Sequence, residues 1–254
     1  ESLEESMKKV LAAALVVAGL AVASPAHATP STVYWTPATT YTQPFAVPHL
    51  TYDTYVAEQG ALANTYGLTL GVIPGDKIQG EIGFDLFYPG YTKDLFQLNA
   101  KLTLVEGALG EWSPGVSVGI MNVGFKSDVS NYDMAYLALG KTTPYGTFGV
   151  GGYYGAGSKA LWTGGTGKVA RPGAMVSYVS PDIKVGLPGL DKLNVIGDLS
   201  TGKNWMGAVG GGLCAYFNSN VAVIMGPVFF LDTDYYSAAK WMWTVQLDVD
   251  IPTK

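Results

Sequence analysis

Apolar and polar residues alternate with a period of two along several long stretches of this chain. In residues 96–104, one face carries Phe96, Leu98, Ala100, Leu102 and Leu104, and the other carries Gln97, Asn99, Lys101 and Thr103. Residues 78–86 and 241–251 alternate in the same way. Such alternation is typical of a β-strand with one apolar face. These lengths match the roughly 9–11 tilted residues that cross a bilayer, whereas soluble strands average about 5–6.

The same pattern, interrupted by turn sequences, predicts twelve strands and an all-β fold. The predicted strands are 50–58, 61–73, 78–88, 95–106, 115–125, 131–142, 145–157, 170–180, 190–201, 205–217, 220–231 and 240–251. The pattern is weakest in the first strand and in the strand through Gly149, Gly151 and Gly152. Bacterial single-chain barrels have an even number of strands. We therefore expect a closed antiparallel up-and-down transmembrane β-barrel of about twelve strands, with ten or fourteen left open.

The connections between the predicted strands vary in length, and the tight turn sequences fall mainly at one end of the barrel. Three are tight turn sequences: Pro74-Gly75-Asp76, Thr143-Pro144 and Asn218-Ser219-Asn220. Short turns are typical of the periplasmic end of such barrels. The long Gly-rich connection at about 158–169 then falls on the extracellular side, where it presents Lys159, Trp162 and Lys168.

Composition indicates that the apolar strand faces point to lipid and not to a soluble core. Charged residues make up 14% of the chain, against about 25% in soluble domains, and the formal net charge is −5. A strand surface in lipid needs no charge, and barrel interiors tolerate the many glycines, 33 in all. Since backbone groups in lipid have no water to bind, strands that span a membrane must close into a barrel.

The N-terminal region divides into three predicted parts. Residues 1–28 contain upstream residues and a secretory signal peptide, with Lys8 and Lys9 before an apolar run and a small-residue cleavage pattern at Ala26-His27-Ala28. Residues 29–48 are rich in proline, which disfavours a helix or a central strand. We expect an extended periplasmic lead-in there, with insertion into the lumen as the alternative. Residues 49–254 form the predicted barrel.

The end of the chain resembles the final strand of outer-membrane β-barrels of the broad porin-like class. In that class the last strand alternates apolar residues and ends on an aromatic residue. Residues 241–251 show the alternation, but they close on Ile251 and are followed by Pro252-Thr253-Lys254. The resemblance covers about 50–251, indicates no narrower family, and implies an exported protein of the outer membrane in contact with its lipid.

Candidate chemistry in the sequence is sparse. Beyond the predicted signal peptide, His49 is the single histidine and Cys214 the single cysteine. Barrel lipases, deacylases and proteases need a group that titrates near neutral pH, and His49 lies at the predicted periplasmic end, away from where such enzymes work. One Cys and one His cannot form a usual zinc site, and no basic cluster suits nucleic acid. We therefore predict no catalytic residue, no metal, no cofactor and no nucleic-acid partner.

The polar strand faces provide the remaining candidate site, a water-filled lumen. Strand parity predicts these pore-lining residues: Gln79, Glu81, Asp85, Gln97, Asn99, Lys101, Asp198, Gln246, Asp248 and Asp250. Eight strands enclose side chains alone and sixteen enclose an open channel, so twelve predict a narrow pore. The excess of acids predicts a mildly cation-preferring channel for small polar solutes or ions, with a homo-oligomer left open.

An alternative to an open pore follows from the same residues. The lumen could be closed by salt bridges, with Lys101 neutralised by Glu81 or Asp85. A closed barrel would be a structural or adhesive outer-membrane protein acting through its extracellular loops, chiefly 158–169.

Overall fold

The computed structural model describes residues 32–57, 60–61, 64–88, 94–234 and 240–252. The strands are β1 Pro48–Ala57, β2 Gly60–Ala61, β3 Asn64–Ile73, β4 Ile78–Tyr88, β5 Phe96–Leu104, β6 Gly115–Val123, β7 Met134–Thr143, β8 Gly146–Gly155, β9 Pro172–Val179, β10 Lys192–Ser200, β11 Ala208–Asn218, β12 Val221–Phe230 and β13 Trp241–Asp250. A 3-10 helix, η1, spans Lys159–Trp162. Within these ranges, no helix is long and apolar enough to cross a bilayer. The predicted signal peptide, 1–28, lies outside the described residues.

The strands form one closed antiparallel sheet. Each long strand pairs with its neighbours along the chain, and β13 pairs with β1 to close the barrel. The strand β2 has two residues and pairs only with β1. Within the described residues, twelve long strands therefore form an up-and-down barrel, as predicted. Closure leaves no open edge, so the ladder hydrogen bonds of the long strands have partners in the barrel wall.

The strand boundaries agree closely with the alternation in the sequence. The largest differences at a strand start are three residues: β3 begins at Asn64, β7 at Met134 and β11 at Ala208. The glycine-rich strand forms as β8, and the three tight turns connect β3 to β4, β7 to β8 and β11 to β12. We call their end of the barrel the turn end and the opposite end, where 156–171 connects β8 to β9, the loop end.

The outer face of the barrel is apolar and exposed. Large hydrophobic side chains that alternate with inward residues remain uncovered, among them Ile82, Leu102, Val118, Leu139 and Val150, with Ile82 53% exposed. Water-soluble monomers seldom expose a continuous apolar surface beyond a few hundred Å². An apolar band of this kind is stable in hydrocarbon, so the barrel is of the transmembrane type.

Residues 32–47, called the strap below, lie inside the barrel. Their side chains include the buried Tyr34, Thr36 and Gln43. The structure thus differs from the periplasmic lead-in predicted for 29–48 and matches the alternative of insertion into the lumen, for the described part of that segment. A proline-rich chain cannot satisfy its own backbone in regular structure, and the polar barrel wall supplies the missing partners.

The side of the barrel formed by β7–β13 is packed with apolar side chains. Val33 and Tyr34 of the strap join a buried cluster with Ile196, Val228 and other residues of β10–β13. A second buried cluster contains Ala38, Met134, Tyr153, Trp162 and Met206. These two clusters occupy most of that side of the lumen, where a small space of about 40 Å³ remains beside Ile196 and Tyr216. A larger space lies beside the wall that includes β1 and β3–β6.

Candidate functional site: the barrel lumen

The carboxylate of Asp198 anchors the first part of the strap. Its Oδ2 accepts hydrogen bonds from the backbone N–H groups of Tyr34 at 3.1 Å, Trp35 at 2.8 Å and Thr36 at 2.7 Å. Gln246 on β13 adds a bond from Nε2 to the Tyr34 carbonyl oxygen at 3.0 Å. Three N–H groups converging on one carboxylate form a charge-assisted anchor, which holds an irregular segment against the wall.

Glu81 anchors the second part of the strap and is itself held by a cation. The Gln43 N–H donates to Glu81 Oε2 at 2.6 Å, while Lys101 Nζ lies 3.0 Å from Glu81 Oε1. Glu81 and Lys101 are cross-strand partners on β4 and β5, and both are buried. The neutralisation of Lys101 that the sequence left open therefore takes place through Glu81.

Hydroxyl groups of the wall hold the middle of the strap. Thr42 Oγ1 donates to Thr103 Oγ1 at 2.6 Å, and Thr103 Oγ1 lies 2.7 Å from Ser117 Oγ. On the far side, Ser177 Oγ donates to the Ala38 carbonyl oxygen at 2.5 Å. The strap therefore follows the inner wall from β3 round to β10.

Inward-facing glycines make room for the strap backbone. A Cβ on Gly149 would lie 1.9 Å from the Ala38 carbonyl oxygen, and a Cβ on Gly71 would lie 2.2 Å from the Pro44 carbonyl oxygen. Real Cβ atoms do not approach so closely, so any larger residue would push the strap off the wall. Part of the glycine content thus has a specific packing role.

His49 lies between two carboxylates where the barrel closes. Its Nδ1 is 2.8 Å from Asp250 Oδ1, and its Nε2 is 3.2 Å from Asp248 Oδ1. His49 is fully buried at the start of β1, and it pairs across the closing strands with Asp250. The sequence places His49 at the periplasmic end but does not indicate its contact with Asp250, because the two residues are 201 positions apart.

A cavity of about 180 Å³ remains between the strap and the wall formed by β13, β1 and β3–β6. Its lining includes four carboxylates and one lysine: Asp53, Glu81, Asp85, Asp248 and Lys101. Aromatic rings complete it, among them Trp35, Tyr55 and Trp205. The cavity is therefore acidic on the wall side and aromatic on the side of the strap and the loop end.

Gly67 makes room for side chains of the acidic wall. A Cβ on Gly67 would lie 2.2 Å from Thr51 Oγ1 and 2.7 Å from Asp85 Oδ1, so both side chains converge over this glycine. Asn99 Nδ2 donates to Asp85 Oδ2 at 2.6 Å, and the Tyr55 hydroxyl donates to Asp53 Oδ2 at 3.2 Å. These donors are neutral, so they orient the carboxylates without cancelling their charge.

The ten residues predicted to line the pore all lie on inward strand faces, but they contact different partners. Five are occupied by the strap or by an ion pair within the wall: Glu81, Lys101, Asp198, Gln246 and Asp250. Gln97 donates to the Ser130 carbonyl oxygen at 3.2 Å, and Gln79 is half-buried near the turn end. Asp85, Asn99 and Asp248 face the cavity, together with Glu81, Lys101 and Gln246.

Three cavity residues of β1 were missed: Thr51, Asp53 and Tyr55. Their alternation along the first strand was the available signal, but the pattern there is weak.

The three predicted loop residues differ in exposure. Lys159 and Lys168 are exposed, whereas Trp162 is fully buried, with Nε1 donating to the Tyr132 carbonyl oxygen at 2.8 Å. The loop therefore folds inward at Trp162 and covers part of the lumen.

Ion pairs between loop carboxylates and strand lysines reinforce the turn end. Burial raises the pKa of Glu106, but hydrogen bonds from Lys141 and Thr142 outweigh it and hold the pKa below its usual value of 4.5. Burial likewise raises the pKa of Asp182, and bonds from Lys192 and Asn194 outweigh it and lower the pKa. Both pairs connect adjacent loops and strands at one end of the barrel.

The comparisons with known proteins agree with this architecture. No protein-family model and no curated protein matches the chain. Its fold is similar to that of the KdgM porin, with a TM-score of 0.50 and 9% identity over 80% of this chain and 99% of that porin. The NanC porin gives a TM-score of 0.48 and 9% identity, covering 80% and 98% of the two chains. A Rhodopseudomonas blastica porin mutant gives 0.39 and 13%, with 74% of this chain matched to 55% of that one.

At these identities the likeness concerns the fold. The first of these structures matches along nearly its whole length, and its class agrees with the closed barrel and apolar outer band described above. The chain thus has the fold of a porin-like outer-membrane β-barrel, and no narrower family is defined.

Proposed function

We propose that the protein is an outer-membrane channel through which small cations and small polar solutes diffuse passively. The observation that carries the proposal is the acidic cavity between the strap and the wall formed by β13, β1 and β3–β6. Rings or rows of carboxylates favour cations in a pore, and low-dielectric walls focus their field along the lumen. The orientation that suits this function places the loop end outside the cell.

The strap sets the width of the proposed pore. A twelve-stranded barrel encloses more space than its own side chains fill, and here the strap and two apolar clusters occupy one side. Solutes would therefore pass along the remaining side, beside Asp53 and Asp85. We expect a conductance well below that of an unobstructed barrel of this size.

The anchored strap also favours a second candidate function. A lumen closed by Asp198, Glu81 and the wall hydroxyls would give a non-conducting barrel that acts through its exposed loop residues, including Lys159 and Lys168. In that case the acidic cavity would not connect the two ends of the barrel.

The test is the reversal potential of the purified, folded protein in a planar bilayer under a KCl gradient. The channel proposal predicts discrete current steps and a reversal potential biased towards potassium. Asp53→Asn with Asp85→Asn should reduce that bias, while Asp76→Asn in the exposed β3–β4 turn should leave it unchanged. Absence of steps from a folded barrel would favour the second candidate, and anion selectivity would overturn the cation preference.

A further inference from the structure

We infer that the lumenal cavity is a binding site for small organic ammonium ions. This inference rests on the proposed channel function, for which it names a substrate class. The relevant surface combines carboxylates on β1, β4 and β13 with the rings of Trp35, Tyr55 and Trp205. Carboxylate and aromatic faces together are the two groups that recognise an alkylated ammonium.

The negative charge in the cavity exceeds the positive charge. Lys101 is the sole basic side chain among the described lining residues, and it is paired with Glu81 at 3.0 Å. Asp53 and Asp85 accept hydrogen bonds from the neutral groups of Tyr55 and Asn99. Within the described part of the chain, neither carboxylate forms a salt bridge, so the cavity can take up a cation.

Asp248 provides an independent sign of a missing donor. Its side chain is 2% exposed, and its Oδ1 faces His49 at 3.2 Å. Its Oδ2 is buried and has no hydrogen-bond partner within the described residues. A buried carboxylate oxygen without a donor is unfavourable, and an N–H or O–H group in the cavity would satisfy it.

The rings select the kind of cation. Trp35 and Tyr55 meet edge to face, with centroids 6.3 Å apart and planes at 89°. Trp35 is fixed by its Nε1 bond to the Met206 carbonyl oxygen at 3.1 Å. Rigid aromatic faces attract a weakly hydrated ammonium through the ring quadrupole, and a small metal ion would need a tight shell of oxygens instead.

The arrangement of the acids does not suit a metal. No group of three carboxylate, histidine or cysteine side chains in the described ranges is close enough to hold a metal ion. The volume of about 180 Å³ exceeds what one water needs, which is on the order of 10–15 Å³. An ion with several carbon atoms fits such a space, and its alkyl groups would contact the rings while its charge faces the acids.

Calorimetric titration of the folded full-length barrel in detergent with choline tests the inference without requiring conduction. The matched ligand is dimethylbutanol, the uncharged carbon analogue of choline. We expect choline to bind at constant ionic strength and dimethylbutanol to bind at least about tenfold more weakly, because it lacks the charge. Equal binding of the two ligands, or no binding of choline, would overturn the inference.

Variants locate the site. Asp53→Asn combined with Asp85→Asn should weaken choline binding about tenfold or more, whereas Asp76→Asn in the exposed turn should not change it. Unchanged choline binding by the folded double variant would overturn the assignment to this cavity. If the double variant does not fold, the comparison of choline with its uncharged analogue on the unaltered protein decides.

Binding and conduction can fail separately. Choline binding by a barrel that shows no current would refute the channel and leave the site. Cation-selective current without choline binding would support the channel and refute the organic ammonium site.

Discussion

The Nδ1 atom of His49 lies 2.8 Å from Oδ1 of Asp250, across the pair of strands that closes the barrel. The two residues are register partners at the turn end of β1 and β13, and both are buried. Gln43 of the strap donates to the same Asp250 oxygen at 2.9 Å. One carboxylate therefore connects the first strand, the last strand and the strap, so closure of the barrel and placement of the strap depend on each other.

Replacing His49 should weaken barrel closure. His49→Ala leaves Asp248 and Asp250 buried side by side without their shared partner, and breaking a buried charged contact costs about 3–5 kcal/mol. We expect a loss of that order in the free energy of unfolding, measured by urea titration in detergent. Lys184→Ala, which breaks the exposed pair with Asp191 at 3.4 Å, should cost at most about 1 kcal/mol. Equal losses in both variants would contradict the role of His49.

Glycines on the two faces of β8 should respond differently to the same substitution. Gly149→Ala places a Cβ 1.9 Å from the Ala38 carbonyl oxygen, so the strap must move, at a cost of about 1–3 kcal/mol. In Gly152→Ala, the new Cβ lies 3.4 Å from the Gly173 carbonyl oxygen, which is an ordinary contact. Limited proteolysis should cut the strap faster in Gly149→Ala than in Gly152→Ala. The same rate in both would mean that the strap does not press on β8.

The pair of Glu106 and Lys141 should stabilise the barrel only above acidic pH. The pKa of Glu106 is lower in the folded chain than its usual value of 4.5, so its stabilisation is present above that value and is lost as the pH falls through the folded pKa. Because the pair is partly exposed, we expect at most about 1 kcal/mol. The free energies of unfolding of Glu106→Gln and of the unaltered protein should differ at neutral pH and converge once the pH falls below the folded pKa of Glu106. A difference that grows on acidification would contradict this sign.

The barrel wall could be predicted from the sequence because its pattern is local. Alternation along one strand, such as Leu98, Lys101 and Leu102, depends on which face meets lipid, and lipid imposes the same demand on every strand. Tight turns such as Pro74-Gly75-Asp76 are also local signals. The number of strands, and which of their residues face inward, can therefore be predicted from short windows of sequence.

The contents of the lumen could not be predicted in the same way. The partners of the strap, Asp198 and Glu81, are 162 and 38 residues from the atoms they bind, and no short window relates them. The prolines at 29–48 disfavour a central strand but do not indicate where the segment lies. An inward glycine such as Gly149 also gives the same pattern whether it faces water or a second layer of chain.

The most direct test of a strap-narrowed, cation-preferring pore compares single-channel conductance of the unaltered protein with that of Asp198→Asn. The substitution removes the charge that holds the N–H groups of Tyr34, Trp35 and Thr36, so the strap should loosen. We predict small cation-biased steps from the unaltered protein, and larger steps with the bias retained in the variant, because Asp53 and Asp85 remain. No current from either folded protein, or identical steps from both, would contradict the account.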